Sequence, residues 1–286
     1  MKTVALVTYK ESSRLSASDV LLIDPLKMEG FDASAVAWDD KRVDWKKFDC
    51  IILRSCWNYH YRYTEFLAWL SFLESIKVTT LNPLSVIRWN SHKRYLKDLD
   101  RKGVSTIPTM WVKKGTSVNL QKIASEAGWT DVVIKPCVGA SAYEVFLSRH
   151  NEHDKTQSTF NTLTGKGDVM IQPLAQEGMT EGEYSFIFIG GIYSHTVLKL
   201  PKKDEFRSNY NGNTLTLTHP HQKLINQAKH VLSAIQTDTL YARIDGINQN
   251  GRLILMELEL IEPSLFFDMY PTSSIAFARE LKKRSR

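Results

Sequence analysis

Two consecutive apolar strands that carry three carboxylates constrain this chain more than any other stretch of its sequence. YARIDGI and RLILMELELIE are separated by Asn248 to Gly251, and Asn250-Gly251 readily supplies the positive backbone angles of a tight hairpin. Alternation along the second strand puts Ile254, Met256, Leu258 and Leu260 on one face, with Leu253, Leu255, Glu257 and Glu259 on the other. Glu257 and Glu259 then point the same way, their alpha carbons roughly 6 to 7 Å apart. Arg243 and Asp245 share a face of the partner strand, so Asp245 joins the glutamates if the two faces coincide. Carboxylates crowded into an apolar strand repel and lose hydration, which a divalent cation relieves. An all-oxygen set, with no His or Cys at comparable spacing, selects magnesium or manganese over zinc. The plainer alternative is an exposed edge strand whose acidic residues discourage edge-to-edge pairing.

Upstream, the chain opens with strand and helix in alternation. Residues 3 to 8 read as a strand, Glu11 to Ser18 as a loop, and Ala17 to Met28 as a helix ended by Gly30; strands follow at Ala33 to Ala37 and in CIILR, residues 50 to 54. That order predicts a parallel, Rossmann-like α/β sheet. No GxGxxG follows the first strand, so a dinucleotide site is not expected there. RSCWNYHYRY trails the third strand, where ligands meet such sheets, which makes Arg54, Ser55, Trp57, Asn58 and Tyr59 substrate candidates. Equally, Ser55 or Asn58 caps a helix and the aromatics pack locally.

A helix over Thr64 to Ser75 comes next, then one carrying Trp89, His92, Lys93 and Leu96 that ends at Gly103. A boundary near residue 90 and a hinge near Pro108 follow from the bend VSTIPTMWV. Beyond it lie a helix at Leu120 to Ala127 and two similar strands, VVIKP and VMIQP, whose prolines hold Lys135 and Gln172 extended. Val138 to Ala142 is a small-residue turn, and TLTGKGD a flexible polar approach. EYSFIFIGGIYSHTVLKL reads as a hairpin turning at Gly190-Gly191, followed by a polar loop from Pro201 to Pro220, an amphipathic helix over 221–235 and a closing helix near 271–284. The resulting division is 1–90, 91–175 and 176–286.

With 43% hydrophobic and 24% charged residues the chain is globular rather than disordered. Its formal charge of +6 is scattered in short lysine pairs, so a phosphate-bearing small ligand is expected and a stable nucleic-acid partner is not. Three cysteines without CxxC spacing indicate a reducing compartment; MKTVALVTY reads as a strand and no apolar run reaches membrane length, so the expected location is cytoplasmic, with no membrane partner. No GxxxxGK[ST] is present. Phosphate charge must then be met by Lys93, Lys135, Lys199 and Arg243, with backbone donors from Gly139, Ala140, Ser141 and Ala142. His195 reads as a packed strand residue, with a proton acceptor as the alternative.

Taken in order, His92-Lys93, VVIKP, VMIQPLAQEG, EGEYS, RID and MELELIEPS resemble the motifs of ATP-grasp enzymes over nearly the whole chain. RSCWNYH, NP followed by WN and HK, SHTVLK with FR beyond it, and MELELIEPSLFF are most similar to the O-ureido-serine cyclo-ligases of cycloserine biosynthesis. The likeness to glutathione synthetases and ribosomal-protein glutamate ligases is more distant. This resemblance implies an α+β ATP-grasp fold, in which an N-terminal Rossmann-like α/β domain precedes two α+β subdomains clasping the nucleotide. It implies ATP and magnesium as cofactors, with Lys93 and Lys135 on phosphates, Gln172, Pro173, Leu174 and Ala175 as adenine hinge, and Glu183 on the ribose. Asp245, Glu257 and Glu259 match the metal carboxylates, the last standing where many relatives carry asparagine. Lys199, Arg243 and Arg207 match positive positions at the transferred phosphate and acceptor. The turn Gly139-Ala140-Ser141 continues as Ala142-Tyr143-Glu144, less rich in glycine and arginine than in the group it most resembles.

The activity so implied is ATP-dependent, ADP-forming ligation of a carboxylate to an amine on an amino acid or small peptide, through an acyl phosphate. Arg54, Asn58, Tyr59, Arg207, Glu262 and Ser264 are the substrate candidates. The alternatives are a small-molecule kinase with the same nucleotide site, and a noncatalytic nucleotide- or nucleic-acid-binding module.

Overall fold

The computed structural model describes residues 1–202, 205–206 and 213–285. The first sheet joins β1 (Lys2–Thr8), β2 (Phe31–Ala37) and β3 (Cys50–Leu53) in the order β2-β1-β3, all parallel. Both faces are apolar because both are covered. Val4, Leu6 and Ile52 pack on one side and Ala5, Val7, Ile51 and Leu53 on the other. The stretch expected as one helix from Ala17 to Met28 is two, α1 (Ala17–Val20) and α2 (Ile23–Met28). Pro25 falls in the first turn of α2, where its missing amide costs no helical bond. α3 (Tyr63–Ser75) buries Phe66, Trp69, Leu70 and Leu73 against the sheet.

The helix expected to carry Trp89 through Leu96 is likewise divided, into α4 (Leu84–Asn90) and α5 (Tyr95–Arg101). His92 and Lys93 occupy the turn between them, where the Lys93 amide donates to the Cys137 carbonyl at 2.7 Å. The second sheet comprises β4 (Met110–Val112), β5 (Val132–Pro136), β6 (Phe146–Ser148) and β7 (Val169–Pro173), ordered β4-β7-β5-β6 and antiparallel throughout. Its core is closed by α6 (Leu120–Glu126) and α7 (His153–Lys166). α7 corrects the expectation of a flexible TLTGKGD: it runs to Lys166 because Phe160 and Leu163 find buried places in that core.

After α8 (Gln176–Thr180), the third sheet is built from β8 (Glu183–Ile189), β9 (Ile192–Leu200), β10 (Thr214–Thr218), β11 (Tyr241–Gln249) and β12 (Arg252–Glu259). Its order is β10-β9-β8-β11-β12, antiparallel, with α9 (Gln222–Ser233) on one face; α10 (Thr272–Arg284) packs into the core shared with β1. β10 lies inside what reads as a polar loop, because Leu215 and Leu217 alternate between threonines and pack on the core. β8 and β9 turn at Gly190-Gly191, both at positive φ, as the hairpin pattern requires.

Two asparagines sew the N-terminal part to β11 and β12. Asn82 donates to the carbonyls of Tyr241 and Leu260, each at 2.9 Å, and accepts from the Leu240 amide at 2.7 Å. Asn90 donates to the Leu258 carbonyl at 2.8 Å and accepts from the Leu260 amide at 2.9 Å. These are the asparagines of the NP and WN motifs. Among the described residues, no helix is long and apolar enough to cross a membrane.

Candidate functional site

A cavity of about 650 Å³ opens where the three sheets meet. Its walls are the ends of β5 and β7, the turn Gly139–Ala142, Lys93, the cavity side of β12, residues 261–268, and Ser16, Ser18, Trp57 and Tyr59 of the N-terminal part.

The hairpin departs from simple alternation. Asp245 pairs with Glu257 but Gly246 pairs with Leu255, so Met256 is an extra residue, a β-bulge. Leu253 and Leu255, expected beside the glutamates, lie in the core with Leu258 and Leu260 instead, while Met256, Glu257 and Glu259 line the cavity. Gly246 makes the bulge fit: a β-carbon there would stand 2.6 Å from the Ile254 carbonyl oxygen. The register sets Arg243 opposite Glu259 and Asp245 opposite Glu257.

Each of the three carboxylates has a protein cation beside it. Asp245 accepts from Arg243 Nε at 3.0 Å and Nη2 at 2.9 Å, from Lys199 Nζ at 3.2 Å and from Ser185 Oγ at 2.6 Å. Burial works to raise its pKa, but Arg243 and Lys199 hold it well below the ordinary range. Lys93 Nζ donates to Glu257 Oε1 at 2.9 Å; burial opposes its ionisation, and Lys93 and then Lys135 prevail, lowering its pKa. Glu259 pairs with Arg243, yet burial and the repulsion of Asp245 and Glu257 outweigh that cation and push it up to about 7. Protein cations thus meet the charge of Asp245 and Glu257, whereas Glu259 keeps the burial and repulsion that a divalent ion was expected to relieve.

Among the described residues, no three His, Cys, Asp or Glu side chains gather closely enough to hold an ion by themselves. Glu257 and Glu259 nevertheless fit one. Their side chains keep 30% and 27% of their exposure and face the cavity, whereas Asp245 keeps 3% and is enclosed by its donors. Two oxygen ligands with room for phosphate and water is a magnesium-like arrangement.

Lys135 is buried on the cavity wall, and burial, with Lys93 beside it, lowers its pKa against the pull of Glu257. Gly139, Ala140 and Ser141 form the rim. Gln172 to Ala175 line the opposite edge; Gln172 Nε2 is committed to Thr109 Oγ1 at 2.9 Å and the Leu174 amide to the Asp131 carbonyl at 2.9 Å. Glu183 is buried in an ion pair with Lys199, and both reach the cavity.

Three substrate candidates are corrected, the first being Ser55, which is buried, donates its hydroxyl to Asp19 Oδ2 at 2.8 Å and does not line the cavity. Arg54 is fully buried and does not line the cavity: its Nε and Nη2 donate to Asp19 Oδ1 at 3.0 and 2.8 Å, and Nη2 also to the Pro263 carbonyl at 2.7 Å. Asn58 accepts from Trp38 Nε1 at 2.7 Å inside the N-terminal core and does not line the cavity either. Tyr59, Glu262 and Ser264 do line it, whereas Arg207 lies outside the described residues. Burial, with Glu259 nearby, pushes Glu262 up to about 8. His195 stays in the fold, its Nδ1 bonded to Ser194 Oγ at 2.9 Å, and does not line the cavity.

Sequence reasoning missed Ser16 and Ser18, Tyr95, Met256 and Asp268 among the lining residues. Ser16 carries a readable signal, since it caps α1 directly beyond β1, at the carboxyl end of a parallel strand. Tyr95 accepts from the Leu258 amide at 3.0 Å, a contact across 163 positions that no local pattern announces.

Residues 4–82 match the family model of the N-terminal domain of D-cycloserine synthetase DcsG, and residues 103–266 that of the prokaryotic glutathione synthetase ATP-grasp domain. The cycloserine biosynthesis protein DcsG of Streptomyces lavendulae is 27% identical over 302 residues, covering 99% of each chain. A crystal structure of D-cycloserine synthetase DcsG superposes with a TM-score of 0.87 at 25% identity, over 99% of this chain and 100% of the other. The ATP-complexed D-alanine–D-alanine ligase of Bacillus anthracis shares the fold at 15% identity, with a TM-score of 0.71 over 98% and 95% of the two chains. With its ATP-grasp match spanning more than half of its length, the chain belongs to the ATP-grasp family of ATP-dependent ligases.

Proposed function

We propose that the protein is an ADP-forming carboxylate–amine ligase acting on an amino acid or small peptide through an acyl phosphate. One observation carries the reading: the same cavity wall presents Lys93 and Lys135 beside Glu257 and Glu259. Cations for a polyphosphate and oxygen ligands for a magnesium ion thus stand together. In this reading residues 91–175 and 176–286 clasp the nucleotide about a hinge near Pro108, and residues 1–90 shape the acceptor wall.

Val133, Ile107 and Met256, which line the cavity with Gln172 to Ala175, would enclose the base at the hinge edge, and Glu183 would take the ribose. Lys93 and Lys135 take the phosphates, and the turn Gly139 to Ser141 faces the terminal one. Glu257 and Glu259, with Asp245 behind them, would hold a magnesium ion, which would neutralise charge on the phosphate oxygens.

A substrate carboxylate oxygen bonds to the terminal phosphorus as the bond from that phosphorus to ADP oxygen breaks. The amine nitrogen then attacks the acyl carbon, the carbon–oxygen bond to phosphate breaks, and the nitrogen gives up a proton. Arg243 and Lys199, anchored on Asp245, hold positive charge beside these oxygens, with Arg207 as a further candidate. Tyr59, Glu262 and Ser264 line the acceptor side. Enclosure by the walls excludes water, which would otherwise hydrolyse the acyl phosphate.

Incubating the protein with ATP, magnesium and a panel of amino acids and dipeptides, with mass-spectrometric scoring of ADP and products, tests this reading. ADP release matched by a condensed product supports it. A stable phosphorylated product would make the enzyme a kinase instead.

A further inference from the structure

The rim turn is held from outside itself. Ser141, Ala142 and Glu144 sit at φ of +51°, +56° and +51°, a left-handed region costly for residues with a β-carbon. Such a conformation persists only where neighbours enforce it. Glu144 is tied to Lys166 of α7, and Val138 and Ala140 pack against the core beneath β3 and α3. Between these lies Tyr143, whose ring centroid is 5.0 Å from that of His60 and 4.7 Å from that of Tyr61, the latter edge-on at 77°.

His60 and Tyr61 belong to the short 3-10 helix Tyr59–Arg62, and their own rings are 4.0 Å apart. Burial pushes His60 down to about 4, so near neutral pH its ring is uncharged and serves as an aromatic surface. Tyr59, the first residue of the same helix, lines the cavity. A short chain of contacts therefore runs from the acceptor wall through His60 and Tyr143 to the rim.

We propose that Tyr143 is a positioning residue: docked on His60 and Tyr61, its ring holds the Gly139–Ala142 turn in place and sets how tightly the site grips a nucleotide's terminal phosphate. This rests on Gly139 to Ser141 being the phosphate-facing turn. Each aromatic pair of this kind is worth roughly two- to tenfold in an equilibrium. The turn faces the last phosphate, so the contribution belongs to a triphosphate more than to a diphosphate.

Calorimetric titration of the full chain with the magnesium complexes of ADP and of β,γ-imido-ATP tests the inference. Tyr143→Ala is expected to weaken imido-ATP roughly tenfold and ADP by much less. Tyr143→Phe, which keeps the ring, stays within about twofold of the wild type on the same reasoning. Tyr61→Ala, altering a residue 62% exposed and so safe for folding, shifts imido-ATP in the same direction as Tyr143→Ala. Equal weakening of both nucleotides, or none in either alanine variant, overturns the role of Tyr143. Failure of the wild type to bind either nucleotide would overturn the reading of the cavity itself, a result distinct from unchanged variants of a binding protein.

Discussion

Lys93 and Glu257 meet at 2.9 Å on the cavity wall, and their partnership defines what single side chains do here. Glu257→Gln keeps the volume and loses the charge. Turnover of ATP per folded molecule should fall by about 10²- to 10³-fold, as when one preorganised electrostatic group is removed from a reacting centre; unchanged ADP release would remove Glu257 from the site. Glu262 offers a separate test through pH. Folded, it keeps its proton up to about pH 8, whereas unfolded it releases it near 4.5, so the native state binds the extra proton in between. Stability from this group is complete below the unfolded value and is lost as pH climbs toward 8. The slope is at most about 1.4 kcal/mol per pH unit. Glu262→Gln should flatten that decline, read from denaturant unfolding at several pH values; an unaltered slope would contradict it. Glu257 and Asp245 act in the opposite sense, their lowered pKa values adding stability that disappears on acidification.

At the scale of elements, the bulge in β12 and the buried Arg54–Asp19 pair just past β3 show where the sequence was readable and where it was not. The hairpin, its turn and its three carboxylates were legible because apolar alternation and Asn250-Gly251 are local signals. The bulge was not, since a one-residue insertion leaves composition untouched and only shifts phase after Met256. Gly246→Ala should force the strands apart at the bulge, costing about 1–3 kcal/mol of stability and lowering activity with it; a variant of wild-type stability and turnover would show the bulge to be incidental. Arg54 illustrates the opposite error. An arginine at a strand end reads as a ligand contact, yet its partner Asp19 stands 35 positions away and both are buried. Arg54→Met leaves Asp19 as an uncompensated buried charge, a loss of about 3–5 kcal/mol, visible as a lower unfolding midpoint with ATP affinity retained per folded molecule. α7 escaped notice for a related reason: its apolar stripe is narrow, and Gly165 and Gly167 look like punctuation until the core of the second sheet gives Phe160 and Leu163 their place.

The whole molecule places three sheets around one cavity, and the contacts doing so are spread across sequence. Asn82 and Asn90 bind the N-terminal part to β11 and β12, and the Leu255 amide donates to the Ser105 carbonyl, so β12 touches segments on both of its sides. The parallel order of the first sheet and the motif order were legible along the chain. That Lys93, Lys135, Glu257 and Glu259 share one wall needed the assembled fold. The use proposed for that wall, transfer of a phosphoryl group to a carboxylate before an amine displaces it, would have a direct isotopic signature. With a carboxylate substrate labelled with oxygen-18 in both oxygens, the amine partner, ATP and magnesium, one labelled oxygen should leave in each inorganic phosphate and one remain in the condensed product. Condensation that releases phosphate free of the label would contradict carboxylate activation at this site.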